Sequence, residues 1–205
     1  MRKVRILLWV LVALALVAGG LLLVRQPVTE LPPPTATPVR LGGPFTLTGV
    51  DGRTFPSTQL AGRPYAIFFG FTHCPDVCPT TLSRLIRLRR QLRQGSTPFE
   101  IVFVTVDPER DGPKELASYL SLFHEPIIGL TGTRPRIDHA KRQFGIFSQE
   151  VSDKAGGYTV DHTATVQLFD RTGAFVATIA PDEGEGAALD KLKRISAPSA
   201  AGSAG

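Results

Sequence analysis

The sequence predicts an α/β domain in which helices cover both faces of a mixed β-sheet. Short, continuous apolar runs, typical of buried central strands, alternate along the chain with amphipathic segments of helical length. A late pair of strand-like segments joined by a turn indicates an antiparallel addition to the same sheet. Of the 205 residues, 42% are hydrophobic and 12 are Phe, which supports a real core, and the charged fraction of 20% is too low for a disordered chain.

The N-terminal segment is predicted to be a transmembrane helix. The stretch Ile6–Val24 carries no charge and, at about 1.5 Å per residue, is long enough to cross the roughly 30 Å of bilayer hydrocarbon. It exceeds the apolar part of an ordinary secretory signal, and no cleavage pattern of small residues follows it, which favours a retained anchor. Arg2, Lys3 and Arg5 precede the stretch and Arg25 follows it, so the N-terminus is expected in the cytoplasm.

Composition divides the chain into four predicted regions. Residues 1–25 form the membrane anchor, and the proline-rich residues 26–42 form an extended linker. Residues 43–194 form the folded domain, and residues 195–205, rich in Ser, Ala and Gly, form a disordered tail. We therefore expect a single-pass protein of a bacterial cytoplasmic membrane, with its domain on the extracytoplasmic or periplasmic side.

The first half of the domain contains a predicted hairpin, two buried strands and a helix. Asp51-Gly52 lies between two short strand-like segments and supplies the positive φ of a tight turn. The runs Tyr65–Phe71 and Glu100–Val106 are typical of buried strands. Between them, Pro79–Gln94 places leucines on one side and arginines on the other, which predicts an amphipathic helix.

The second half contains three predicted helices and a second hairpin. Helices from Pro113 to Phe123 and from Pro135 to Phe144 each begin with proline, which is tolerated in the first turn. The segments Thr163–Phe169 and Ala174–Ile179 predict an antiparallel hairpin, and Gly184–Lys193 predicts the last helix. This order is that of the thioredoxin-like fold, although order alone leaves other α/β folds open.

The basic composition raises the question of a nucleic-acid partner, because the net charge is +5. The arginines between Arg84 and Arg93 share one amphipathic segment with leucines. No aromatic residues are interleaved with them, as a surface that stacks on bases requires. The sequence therefore predicts a solvated helix face and no binding of nucleic acid.

The only two cysteines, Cys74 and Cys78, lie between the strand 65–71 and the helix expected from Pro79. Each cysteine precedes a proline, which disfavours the α region, so both are expected to be extended, with Cys78 capping the helix. The helix dipole at that position favours the thiolate, which predicts reactive cysteines.

Three roles are open to this pair: a structural disulfide, a redox pair or a metal site. A disulfide between Cys74 and Cys78 would close a very small loop and restrict the unfolded chain little, which disfavours the structural role. The spacing differs from that of the thioredoxin motif, and two thiolates alone do not identify a metal. A third ligand would decide between the remaining two roles.

Four histidines are available as that ligand. His162 directly precedes the late hairpin, and in a thioredoxin-like sheet the loop entering that hairpin lies against the cysteine loop. We therefore expect His162 within reach of both sulfurs. His73 is expected to point away from them, and His124 and His139 are expected to be ordinary surface or core residues.

Three segments of the sequence resemble the Sco/SenC family, whose members are copper-binding assembly factors for cytochrome c oxidase. The segments are Phe-Gly-Phe-Thr-His-Cys-Pro-Asp-Val-Cys-Pro at 69–79, Val-Asp-Pro-Glu-Arg-Asp at 106–111 and Tyr-Thr-Val-Asp-His-Thr at 158–163. They occur in the family's order, and the combination of the first with the last is highly specific. Thr163 stands where members often have Ser, a departure that bears little on the metal site.

The resemblance implies a thioredoxin-like domain that binds one copper ion through Cys74, Cys78 and His162. It implies delivery of copper to the dinuclear copper site in a subunit of cytochrome c oxidase, with other copper chaperones as further partners. Two thiolates and an imidazole suit Cu(I), and the imidazole makes Cu(II) tolerable. A chaperone needs no catalytic residue.

Two alternatives remain beside the chaperone. A thiol-disulfide oxidoreductase would reduce the cysteines of the oxidase site, with Cys74 and Cys78 as its catalytic residues. A peroxidase is the weaker alternative, because no activating Thr and Arg are identified. Asp107 and Asp111 are expected either to support the metal site or a partner, or to cap the helix that begins at Pro113.

Overall fold

The computed structural model describes residues 2–24, 41–92, 97–152 and 156–197. The chain divides into two compact units, residues 1–39 and 40–205. The described part of the first unit is one helix, α1 (Arg2–Val24). Among the described residues, no helix combines the length and the apolar character that crossing a membrane requires. Most of the predicted linker and tail lie outside the described residues.

The second unit is an α/β domain whose described elements are nine strands and four α-helices. A short 3₁₀ helix spans Ser57–Leu60. The strands are β1 (Thr46–Gly49), β2 (Thr54–Pro56), β3 (Tyr65–Gly70), β4 (Glu100–Thr105), β5 (Ile128–Thr131), β6 (Ser148–Ser152), β7 (Tyr158–His162), β8 (Val166–Phe169) and β9 (Phe175–Ile179). The helices are α2 (Val77–Leu92), α3 (Pro113–Ser121), α4 (Arg134–Gln143) and α5 (Glu185–Ser196).

Seven of the strands form one mixed sheet in the order β2-β1-β5-β4-β3-β8-β9. The central strands β3, β4 and β5 are parallel, and the other pairs are antiparallel. Every residue of β3 is buried. Because successive side chains of a strand point to opposite faces, the sheet is covered on both faces. The predicted mixed sheet is thus confirmed.

The small antiparallel sheet β6–β7 is separate from the seven-stranded sheet and was not predicted. Four of the five residues of β6 are exposed, so β6 lacks the apolar alternation of a half-buried strand. In β7, Tyr158, Val160 and His162 are buried or half-buried and alternate with exposed residues, but the pattern is only five residues long. The sequence analysis also missed β5, which has only four residues and contains Gly129. The predicted strand from Thr163 begins three residues later, at Val166.

The start of α2 corrects the predicted conformation of Cys78. The helix begins at Val77, so Cys78 is helical and is not the extended capping residue that was expected. Pro79 is the third helical residue, and it is tolerated there because the first four N–H groups of a helix have no partner within the helix. Asp76, which precedes the helix, accepts hydrogen bonds from the Thr80 amide through its carbonyl and from the Thr80 hydroxyl through its side chain.

The parallel pairing of β3 and β4 determines where the functional loops lie. Gly70 is the register partner of Thr105, so both strands end at the same edge of the sheet. The chain after β3 carries Cys74 and Cys78, and the chain after β4 carries Asp107 and Asp111. Two segments far apart in sequence therefore begin side by side.

Candidate metal centre

The cysteine loop is a tight connection between β3 and α2. The amide of Cys74 donates to the carbonyl of Phe71, and the amide of Cys78 donates to Cys74 Sγ at 3.4 Å. Cys78 is fully buried, whereas Cys74 is partly exposed. A Cβ atom on Gly70 would lie 2.8 Å from Cys78 Sγ. Glycine at the end of β3 therefore allows the buried thiol to lie directly against the strand.

Cys74, Cys78 and His162 form a cluster of three candidate ligands. One ligand atom from each of these residues lies within 4.8 Å of the other two. His162 Nε2 is 3.5 Å from Cys78 Sγ, although the two residues are 84 positions apart in sequence. Both cysteines are free thiols. Among the residues that the structure describes, this is the one group of three or more His, Cys, Asp or Glu residues suited to a metal ion.

The imidazole of His162 is oriented with one nitrogen toward the sulfurs. Its Nδ1 lies 3.1 Å from the carbonyl oxygen of Thr163. A carbonyl oxygen can only accept, so Nδ1 carries a proton, and Nε2 is the nitrogen that faces the cysteines. The ring packs edge-on against Phe71 and Phe68, with centroid distances of 5.7 and 6.0 Å. These contacts hold the imidazole in the orientation a metal ligand needs.

The two thiols have opposite ionisation tendencies. The hydrogen bond with the Cys78 side chain is the largest cause that lowers the pKa of Cys74, to about 5, and amide donors from Cys78 and Asp76 lower it further. The same side-chain hydrogen bond, followed by burial, raises the pKa of Cys78. Near neutral pH the pair therefore consists of a Cys74 thiolate that accepts a hydrogen bond from the Cys78 thiol.

The other histidines do not join the cluster. His73 is more than half exposed, and its Nδ1 lies 3.1 Å from the hydroxyl of Thr72 and 3.9 Å from Asp111. His139 is exposed on α4, and His124 is an exposed residue with a φ of 51° just after α3. The structure thus brings together the three predicted ligands and leaves the other three histidines outside.

Asp111 supports the cysteine loop and does not cap α3. Its fully buried carboxylate accepts hydrogen bonds from the Thr72 amide at 2.9 Å, the Thr72 hydroxyl at 2.6 Å and the Thr105 hydroxyl at 2.7 Å. The residue before α3 is Gly112, which makes no side-chain cap. The capping alternative is therefore wrong for this residue, whose partners are Thr72 in the loop that leads to Cys74 and Thr105 at the end of β4.

Asp107 is also buried, and it contacts the strand that carries His162. The hydroxyl of Tyr158 donates to Asp107 Oδ1 at 2.9 Å, and Arg110 forms an ion pair with the same carboxylate. Burial, and then the hydrogen bond to Asp107, raises the pKa of Tyr158, so its hydroxyl remains a donor. Sequence reasoning quoted Tyr158 and Arg110 within family-like segments and assigned neither a role.

Comparison with known proteins identifies the family. The SCO1/SenC family model matches residues 33–197. This chain belongs to the SCO1/SenC family. A SCO2-like protein of Rickettsia prowazekii is 36% identical over 140 residues, which are 67% of this chain and 68% of that protein. The mitochondrial SCO1 homolog of Homo sapiens is 37% identical over 139 residues, which are 66% of this chain and 46% of the human protein.

Solved structures of Sco proteins share the fold. ScoI of Bradyrhizobium japonicum with copper bound has a TM-score of 0.69 and 39% identity, and the match covers 76% of this chain and 99% of that one. Yeast Sco1 with copper bound has a TM-score of 0.69 and 37% identity, and the match covers 76% of this chain and 87% of that one. These structures confirm the thioredoxin-like mixed sheet that the order of elements predicted.

Proposed function

We propose that this SCO1/SenC protein is a copper chaperone that delivers one copper ion to the dinuclear copper site of cytochrome c oxidase. The observation that carries the proposal is the cluster of two free thiols and an imidazole, in a chain whose relatives include structures with copper bound. Cys74, Cys78 and His162 are the proposed ligands. The copper subunit of the oxidase is the proposed partner, with other copper chaperones as further partners.

The donor set favours copper over hard cations. Sulfur and imidazole nitrogen are soft or intermediate ligands, and the cluster includes no carboxylate of the kind that Mg²⁺ and Ca²⁺ prefer. Two thiolates suffice for Cu(I), whereas Cu(II) prefers sets that contain nitrogen. We therefore propose that Cu(I) is bound mainly by the cysteines and that His162 makes binding of Cu(II) tolerable.

The difference in burial between the cysteines suits transfer to a partner. Cys74 is partly exposed and ionised near neutral pH, whereas Cys78 is fully buried beneath it. An incoming ligand from a partner can reach the metal from the side of Cys74 while Cys78 still holds it. Exchange of one ligand at a time avoids release of free copper.

Reduction of the oxidase cysteines is a second candidate function, which the ionisation of the pair favours. A thiol-disulfide exchange begins with attack by a thiolate, and the Cys74 thiolate is accessible at neutral pH. The neighbouring Cys78 thiol would then resolve the mixed disulfide, with oxidation of the pair and reduction of the partner. In that role His162 would be dispensable.

We also propose that α1 anchors the chain in the cytoplasmic membrane of a bacterium, with the domain on the extracytoplasmic side. The helix has 23 residues, a length of about 35 Å at 1.5 Å per residue. The apolar side chains described along it, such as Leu8, Trp9 and Leu14, are exposed. Residues 43–194 are the proposed copper domain, with residues 26–42 as linker and 195–205 as tail.

Substitution of each ligand tests the function. In the detergent-solubilised full chain, we expect one bound copper per chain, and we expect Cys74→Ser and Cys78→Ser to lose both Cu(I) and Cu(II). His162→Ala should weaken Cu(II) far more than Cu(I), because two thiolates alone can hold Cu(I). The measurements are competition with a Cu(I) chelator and the visible spectrum of the Cu(II) form.

His139→Ala is the matched control, since it removes an exposed imidazole outside the cluster. Equal losses of Cu(I) and Cu(II) affinity in His162→Ala would contradict the proposed role of the imidazole. A copper-free protein that reduces a partner's disulfide equally well with and without His162 would favour the oxidoreductase.

A further inference from the structure

One short segment contacts both the loop that leads to Cys74 and the strand that carries His162. This segment, residues 107–111, follows β4 and is named here the bridging segment. Its last residue, Asp111, accepts three hydrogen bonds from Thr72 and Thr105, so it fixes the loop that leads to Cys74. The carbonyl of Asp111 also accepts from the Thr131 hydroxyl at 2.7 Å, which ties the segment to β5. This end of the segment is therefore anchored in the core.

The other end of the bridging segment contacts Tyr158, the first residue of β7. The Tyr158 hydroxyl donates to Asp107 Oδ1 at 2.9 Å, and Arg110 Nη1 donates to the Tyr158 carbonyl at 2.9 Å. The guanidinium carbon of Arg110 lies 3.7 Å from the centroid of the Tyr158 ring. The first residue of β7 is thus held through its hydroxyl, its ring and its backbone carbonyl. His162 is the last residue of this same strand.

The contacts of Tyr158 with Asp107 and Arg110 matter because β7 is not part of the main sheet. It pairs only with β6 among the described strands, and the pair forms a separate two-stranded sheet. Such a hairpin is marginally stable by itself. The position of His162 relative to the thiols therefore depends on the start of β8 at Val166 and on side-chain contacts with the core. The side-chain contacts are those of Tyr158, the buried Val160, and the Phe68 and Phe71 rings beside the imidazole.

We propose that Tyr158, held by Asp107 and Arg110, is a positioning residue that sets the approach of the His162 imidazole to the two thiols. This inference rests on the proposed copper site. It adds a residue that affects the preference of that site for Cu(I) or Cu(II). Cys74 lies on the β3–α2 connection and Cys78 in the first turn of α2, whereas the imidazole belongs to the separate two-stranded sheet. Loosening β7 therefore weakens the contribution of nitrogen and leaves the dithiol pair intact.

Tyr158→Phe tests the proposal, because it removes the hydroxyl that Asp107 accepts and keeps the ring beneath Arg110. We expect Cu(II) affinity to fall about tenfold, the size typical of losing a group that orients a metal ligand. Cu(I) affinity should change less than about threefold, since the thiols are undisturbed. The visible absorption of the Cu(II) form should shift, because its intensity and energy depend on ligand geometry.

A measurement without metal separates this proposal from the proposed function. In the copper-free full chain, amide hydrogen exchange of β6 and β7 should accelerate in Tyr158→Phe, while exchange in β3 and β4 stays unchanged. Tyr65→Phe is the matched control. Tyr65 begins β3, at the opposite end of that strand from the cysteine loop, so its hydroxyl is remote from the site.

The outcomes are distinct. Equal losses of Cu(I) and Cu(II) affinity, or hairpin exchange that matches the wild type, would overturn the positioning role of Tyr158. A wild-type chain that binds no copper would overturn the proposed function instead, and amide exchange alone would then decide whether Tyr158 fixes the hairpin. Selective loss of Cu(II) together with faster hairpin exchange supports the proposal.

Discussion

Cys74 and Cys78 carry the same thiol group in two environments, one partly exposed and one fully buried. Their shared hydrogen bond assigns the negative charge to Cys74 and the proton to Cys78. A charge is less costly where water can reach it, so the accessible sulfur is the ionised one. The sulfur that a partner or reagent meets first is therefore also the nucleophile.

The pH dependence of alkylation tests this assignment. Because the pKa of Cys74 is lowered to about 5, its thiolate fraction is nearly complete above pH 6 and falls as the pH drops through 5. The rate of its reaction with iodoacetamide, followed by mass spectrometry of the Cys74 peptide, should be flat between pH 6 and 8. In Cys78→Ala the main cause of the lowered pKa is gone, so the rate should rise with pH across that range. A steep rise in the wild type would contradict the assignment.

At the scale of elements, the close approach of β3 to α2 depends on Gly70. An alanine Cβ there would lie 2.8 Å from Cys78 Sγ and 2.9 Å from the ring of Phe103. Neither neighbour can move freely, because both are fully buried. The strand end, the helix start and the buried thiol therefore form one packed contact.

Gly70→Ala should lower the free energy of unfolding by about 1–3 kcal/mol, the usual cost of overpacking a buried site. It should also weaken copper binding, because the Cys78 sulfur must shift. Urea denaturation and the Cu(I) competition assay measure the two effects. Gly186→Ala, in the first turn of α5 with no atom within 4 Å of the added Cβ, is the control and should be neutral or stabilising. Similar unfolding energies for the two variants would show that the contact at Gly70 relaxes easily.

The elements that sequence reasoning found are those whose burial leaves a local pattern. Strands β3 and β4 are continuous apolar runs because both of their faces are covered. The pair β6–β7 leaves no such pattern, because most of its residues are exposed and tertiary contacts hold it in place. The start of α2 was misplaced because Pro79 was taken as the first helical residue, whereas it is the third, a position where its missing N–H also costs nothing.

The residues of the candidate site also divide into those that the sequence predicted and those that it did not. A local motif indicated Cys74 and Cys78, and His162 followed from the expected fold and from family resemblance. The links from Thr72 to Asp111 and from Tyr158 to Asp107 join residues 39 and 51 positions apart. No pattern in a single sequence reports which buried carboxylate accepts from which hydroxyl. Those partners became visible only when the fold brought the two loops together.

At the scale of the whole molecule, the chain divides into two units, and the described part of the first is the helix α1. Deletion of residues 1–25 should release the protein from membranes, because it removes the long helix with exposed apolar side chains. The remaining domain should keep its circular dichroism spectrum and its copper stoichiometry, since its core lies within residues 45–195. Sedimentation of membrane fractions gives the measurement. A truncated chain that still pellets with membranes would place the anchor elsewhere.

The separation of the ligands along the chain has a consequence for stability. An ion held by both Cys78 and His162 would join positions 84 residues apart, and so would act as a reversible cross-link. In the chain-entropy account, closing a loop of that size in the unfolded state is worth on the order of 4 to 5 kcal/mol when the link is covalent. A link through a bound metal ion stabilises the folded state by up to that amount while the ion remains bound. Release of the copper ion therefore returns conformational freedom to the unfolded chain. The copper-free protein is then the more easily unfolded form.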